Sequence, residues 1–109
     1  MNPLHYPLLV CYHGDDEISV LKDAVSLQQF LLQSHFFISS DDRFIDSTGA
    51  AWALDTNTNL RYTGSDWTVA QLTVRVQQHY AAQANCCSAK IAAADIPSLI
   101  QLVENSATD

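Results

Sequence analysis

Basic residues are the first scarcity. Five Lys and Arg stand against twelve Asp and Glu in 109 residues, a net charge of −7. Such a surface repels a phosphate backbone, so neither nucleic acid nor an anionic membrane is expected as a partner. Charge of either sign is thin at 16%, against roughly 25% in an average chain. Hydrophobic residues reach 48%, which excludes a disordered chain and allows one domain to build its own core. Glycine is rare too. Gly14, Gly49 and Gly64 each sit in a turn signal, which leaves no glycine-rich phosphate loop. No apolar run approaches the roughly 20 residues that span a bilayer. The opening "MNPLHYPLLVCYHGDDE" lacks a basic n-region and a small-residue cleavage site, so a cytoplasmic chain is expected. Cys11, Cys86 and Cys87 are an odd number of cysteines, which fits reduced thiols.

What is present reads as alternating strands and helices. Residues 7–13 are almost continuously apolar, Gly14, Asp15 and Asp16 turn the chain, and residues 17–22 alternate. This predicts a hairpin. A three-residue loop would set Val10 opposite Val20 and Tyr12 opposite Ile18. Asp23 is a candidate N-cap for a helix over about 24–34, with Ala24, Leu27, Leu31 and, one step off, Phe30 at helical spacing. "RFIDSTGAAWAL" is a second hairpin signal: Asp46 suits the first position of a type I turn, and Gly49 the left-handed position after it. "NLRYT" (59–63) alternates as a short strand. In "WTVAQL", Thr68 and Gln71 form a capping box, and Trp67 can staple onto Leu72. A helix over about 69–83 comes next. "NCCSAKIA" alternates as a strand, and Asp95 caps a last helix. The order predicts an α+β fold, a largely antiparallel sheet of about five to six strands with three helices packed mainly on one face. Residues 1–105 form the single domain, and "SATD" (106–109) a flexible tail.

Several groups carry chemistry in principle. Cys11, His13, His79 and Cys86 are of metal-ligating type, but no C-x-x-C or H-x-x-x-H spacing joins them. Cys86 and Cys87 are adjacent in a strand, so they point apart and are poorly placed to share one ion. "DTNTNLRYTGSD" puts Asp55, Asn57 and Asn59 at the first positions of a calcium loop. Leu60 then stands where the sharp turn needs glycine, and a polar turn explains the same residues. Asp15 and Asp16 in "GDD" match paired polymerase aspartates, yet an acidic chain of this size has no room for template and triphosphate. Asp46 near Arg43 is a candidate dyad, equally a surface ion pair. His35 is expected to close the first helix. No nucleophile elbow or H-E-x-x-H is present, no catalytic residue is assigned, and nothing implies a cofactor.

The succession "HGDDE", "DDRFIDSTGAAWAL", a capped helix, "CCSAKI" and a final helix resembles a family of small uncharacterised proteins of marine gamma-proteobacteria, carried as a domain of unknown function. The resemblance covers nearly the whole chain, with "DRFIDSTG" and "CCSAKI" its most specific pieces. It implies a cytoplasmic bacterial protein and transfers no functional residue. The expected function is a non-enzymatic protein-interaction or regulatory module, with small-ligand or metal binding as the alternative. The first strand is apolar on both faces, and helices on one side cover only one of them. The other face, with Leu9, Cys11 and Leu21, is the candidate interface of a homodimer.

Strand alternation phased by Lys90 and Ile91 puts Cys86 outward and Cys87 inward. Mild alkylation of the native protein is expected to label Cys86 first. Faster labelling of Cys87 would reverse the phase.

Overall fold

A computed structural model of the protein describes residues 4–34, 38–55, 59–82 and 93–107. The described elements follow the order β1 (Leu8–Cys11), β2 (Ile18–Leu21), α1 (Ala24–Ser34), β3 (Arg43–Ile45), β4 (Ala50–Leu54), β5 (Leu60–Asp66), α2 (Val69–Ala82) and α3 (Ile96–Ala107). The five strands make one antiparallel sheet in the order β2-β1-β3-β4-β5. This is the expected α+β fold. The strand expected over "NCCSAKIA", with Cys86 and Cys87, lies outside the described residues, as does His35. Helix α3 runs through Ala107, two residues into the stretch expected to be tail.

Each helix begins where a local cap directs it. The Ser26 amide donates to Asp23 Oδ1 at 2.8 Å and the Ser98 amide to Asp95 Oδ1 at 2.9 Å. The Ser26 amide and side chain hold the Asp23 carboxyl below its ordinary range, and the Ser98 side chain and amide do the same for Asp95. At α2 the capping box is reciprocal: Gln71 N–H to Thr68 Oγ1 at 3.1 Å, Thr68 N–H to Gln71 Oε1 at 2.8 Å. Two otherwise orphaned helix donors are satisfied in this way.

The helices cover both faces of the sheet. Leu72 and Val76 of α2 and Leu99, Ile100 and Val103 of α3 pack with Leu9, Cys11 and Ile18. On the opposite face Leu27, Phe30 and Leu31 of α1 pack with Leu8, Val10, Leu21 and Phe44. Phe30 meets Phe44 edge-on, with ring centroids 6.1 Å apart. A strand buried on both faces needs an unbroken apolar run, which is why β1 reads Leu-Leu-Val-Cys.

Two expectations are corrected here. The β1–β2 ladder pairs Leu9 with Val20 and Cys11 with Ile18, one residue away from the expected register. A slip of one turns every β2 side chain to the other face. Leu21 therefore shares a face with Leu8 and Val10, not with Leu9 and Cys11. In addition, Leu9, Cys11 and Leu21 are 0%, 5% and 5% exposed. They belong to the two cores of the monomer and present no surface for a partner.

The β3–β4 turn is built around a buried carboxylate. Asp46 is fully buried. Its Oδ1 accepts from the Thr48 amide (2.9 Å), the Thr48 hydroxyl (2.6 Å) and the Ala50 amide (3.1 Å), and its Oδ2 from the Trp52 indole N–H (3.2 Å). Gly49 comes next at φ +90, and a Cβ there would lie 2.6 Å from both the Trp67 carbonyl oxygen and Ile96 Cδ1. Only glycine fits, by conformation and by space. The Gly49 carbonyl accepts the Trp67 amide at 2.7 Å, tying the turn to the residue that opens α2.

Asp46→Ala would strand the Thr48 and Ala50 amides and the Trp52 indole. A buried donor left without a partner is worth roughly 1–3 kcal/mol. The variant is expected to lose about 3 kcal/mol or more, read from the urea midpoint. A loss below about 1 kcal/mol would show that these donors find other acceptors.

Candidate functional site

Among the described residues, those of metal-ligating type do not converge. Cys11 is buried, and desolvation pushes its thiol up to about 12 despite the opposing charge of Arg75. It stays protonated, neither nucleophile nor thiolate ligand at neutral pH. His13 is exposed, and its backbone amide donates to Asp42 Oδ1 at 2.6 Å. His79 is buried, with Nδ1 engaged by the Ile18 amide. Cys86 lies outside the described residues. Among the described residues no three His, Cys, Asp or Glu side chains are placed to hold a metal ion.

The other candidate groups have local structural partners. Asp55 accepts the Asn59 amide at 2.9 Å and Arg61 Nε at 2.7 Å, as a turn carboxylate does. Asn57 lies outside the described residues. Arg43 does not pair with Asp46. Its Nη1 donates to the carbonyls of Ser40 (2.8 Å) and Asp42 (3.0 Å).

What the fold does bring together is the β1–β2 connection and the middle of α2. Arg75 Nη1 donates to the Asp16 carbonyl at 2.7 Å, and Nη2 to those of Asp15 and Glu17 at 2.6 and 2.9 Å. One turn later, His79 Nδ1 accepts the Ile18 amide at 3.1 Å. The spacing i, i+4 sets both side chains on one helix face. Burial holds the imidazole below its usual pKa, helped by Arg75 and opposed by a hydrogen bond to the Asp16 backbone and the charge of Glu17. The ring is accordingly neutral, as an accepting nitrogen requires.

With its backbone held against α2, the connection turns its carboxylates outward. Asp15, Asp16 and Glu17 are all exposed, as is Asp41 nearby. Asp15, Asp16 and Asp41 border a cleft of about 270 Å³ lined also by Cys11, Arg43, Trp67 and Arg75. Past Trp67, Arg75 and Gln78 it continues as a shallower apolar groove of about 370 Å³ along α2, reaching Gln71 and Val74. Val74 is 53% exposed. A wider hollow of about 840 Å³ lies at the other end of the sheet, between Leu4, Trp52, Leu60 and Tyr62.

Sequence reasoning found Trp67 as a staple and His79 as a loose ligand candidate, but missed Arg75, Asp42 and the clamp. One signal was available: His79 falls seven residues after Leu72, on the apolar stripe, where a histidine is buried and needs a partner. Nothing in the sequence names Ile18 as that partner.

Residues 6–103 match the family DUF4144, described as a protein structure with unknown function. Among solved structures the chain is similar to that of a protein from Shewanella amazonensis determined by NMR. The TM-score is 0.77, with 19% identity over 96% of this chain and 91% of that one. At this identity the likeness establishes the fold. No curated protein matches the chain.

Arg75→Met keeps the stem and removes all three carbonyl contacts. The guanidinium is partly exposed, so the expected loss is modest, about 1–2 kcal/mol. It should come with faster amide exchange at residues 15–18 in particular. A uniform change across the sheet would mean that Arg75 does not act on the connection.

Proposed function

The chain belongs to the DUF4144 family, and on that premise we propose that it acts as a protein-interaction module. Its ligand is a short partner segment with an apolar side chain next to Lys or Arg, taken into the cleft between α2 and the β1–β2 connection. One observation carries this reading. Trp67 and the half-exposed Val74 line an apolar groove that opens directly beside three exposed carboxylates, Asp15, Asp16 and Asp41. An apolar anchor site next to one sign of charge selects a segment of matching polarity.

Two features support binding over chemistry here. The cleft's thiol, Cys11, is held protonated at neutral pH, and the Arg75 guanidinium is occupied by three backbone carbonyls. The wider hollow at Trp52 and Tyr62 is the natural alternative for a small apolar ligand. Its rim charges, Asp55 and Arg61, already pair with each other at 2.7 Å, so it lacks the charge selectivity of the first cleft.

A Lys- and Leu-rich peptide, compared with its Glu-substituted counterpart by amide chemical-shift mapping, tests the proposal. The basic peptide is expected to shift Trp67, Val74 and residues 15–17, and to weaken as salt is raised. Val74→Ser and the pair Asp15→Asn with Asp16→Asn should each reduce the effect. Equal binding of the acidic peptide, or no shift at Trp67 at about 1 mM peptide, would overturn it.

A further inference from the structure

The β1–β2 connection is fastened to α2 by two groups of opposite character. Arg75 supplies donors to the carbonyls of Asp15, Asp16 and Glu17. His79 supplies an acceptor to the Ile18 amide. A guanidinium is in general a fixed cation in proteins. The imidazole does not keep one state. We propose that His79 is a pH-sensitive latch: taking up a proton releases the Ile18 amide and frees the connection to swing on Arg75, loosening the acidic wall of the cleft.

The geometry gives the reason. With Nδ1 protonated, two N–H groups would face each other across 3.1 Å, and an attractive contact becomes a repulsive one. The surrounding charges are few. On α2, Arg75 lies one turn back and opposes a second positive charge, while the Tyr80 ring stands edge-on at 5.6 Å. From the connection, Glu17 and the Asp16 backbone favour protonation. On β1, Cys11 is uncharged. On α3, Asp95 caps the helix and Glu104 pairs with Lys22 at 3.2 Å.

The sign comes from the lowered pKa. The latched state binds its proton less readily than an ordinary histidine. Its stabilisation is therefore present above the ordinary value near 6.5 and lost as pH falls through the depressed one. Residues 15–18 should open before the sheet does, since β3 and β4 lie in the centre of the ladder.

The consequence for binding rests on the cleft reading, but the latch is measurable without any ligand. The full chain is titrated from pH 7.5 to pH 5, following the His79 ring and the Ile18 amide by NMR. The two should titrate together with a midpoint below 6.5. Protection factors at residues 15–18, referred to the intrinsic exchange rate at each pH, should fall about tenfold or more while those of β3 and β4 hold. His79→Gln, which keeps a side-chain acceptor, should remove the transition. If that variant does not fold, the co-titration in the natural chain decides alone. An Ile18 amide that stays flat while the His79 ring titrates overturns the latch and leaves the cleft reading intact. So does a ring that titrates only as the whole sheet unfolds. Failure of the basic peptide to bind at pH 7.5 overturns the cleft reading and leaves the latch intact.

Discussion

The structure hangs on the Asp46 carboxylate. A charge removed from water must have every lone pair answered, and hydrogen bonds from four donors do this. Three come from the turn itself and fix its shape. The fourth, from Trp52, ties the turn to the face covered by α1, where Trp52 also meets Tyr62 at 5.7 Å. The shape of the turn then directs the chain on both sides of the sheet. It places Gly49 at φ +90 against Ile96, with its carbonyl on the Trp67 amide. Trp67 enters the opposite core, Thr68 caps α2, and the axis of α2 carries Arg75 and His79 over the β1–β2 connection. A carboxylate near the middle of the chain thus positions a clamp on its N-terminal hairpin.

Features with local causes were legible in the sequence. A cap involves residues three apart, so Asp23, Asp95 and the Thr68–Gln71 pair could be read directly. The Asp46–Gly49 turn was legible for the same reason. The register of the first hairpin was not, because its connection is held by Arg75 and His79, some 60 residues away. Nor could the apolar run of β1 be resolved. Burial under helices on both faces and burial against a second copy produce the same pattern. Arg43 and Asp46 looked like a pair because they are close in sequence. Three steps along an extended chain put two side chains on opposite sides; here one reaches back to a loop and the other into the turn.

The excess of acid also changes meaning once the carboxylates are located. Asp15, Asp23, Asp42, Asp46, Asp55 and Asp95 each accept a backbone amide. Asp66 accepts the Tyr62 hydroxyl, and Glu104 meets Lys22. Half of the twelve acidic residues thus help to shape loops and helix starts, work that aspartate does well because its short side chain reaches nearby amides. Net charge counts all of them equally, although a partner would meet only those turned to solvent. The β1–β2 connection concentrates such groups, because binding its carbonyls to Arg75 and its last amide to His79 leaves its side chains facing out.

The choice of residues in that clamp comes from backbone polarity. Three consecutive carbonyls need donors, and the guanidinium offers several from one planar group. The amide of Ile18, one step further, needs an acceptor. A carboxylate at position 79 would bring a formal charge into a site where His79 is only 5% exposed. An amide side chain would bring donors as well as an acceptor. A neutral imidazole offers one accepting nitrogen on a flat, largely apolar body, which also packs edge-on against Tyr80. That fit has one built-in consequence. The imidazole accepts only while unprotonated, so the residue best suited to close this end of the connection also makes the closure depend on pH.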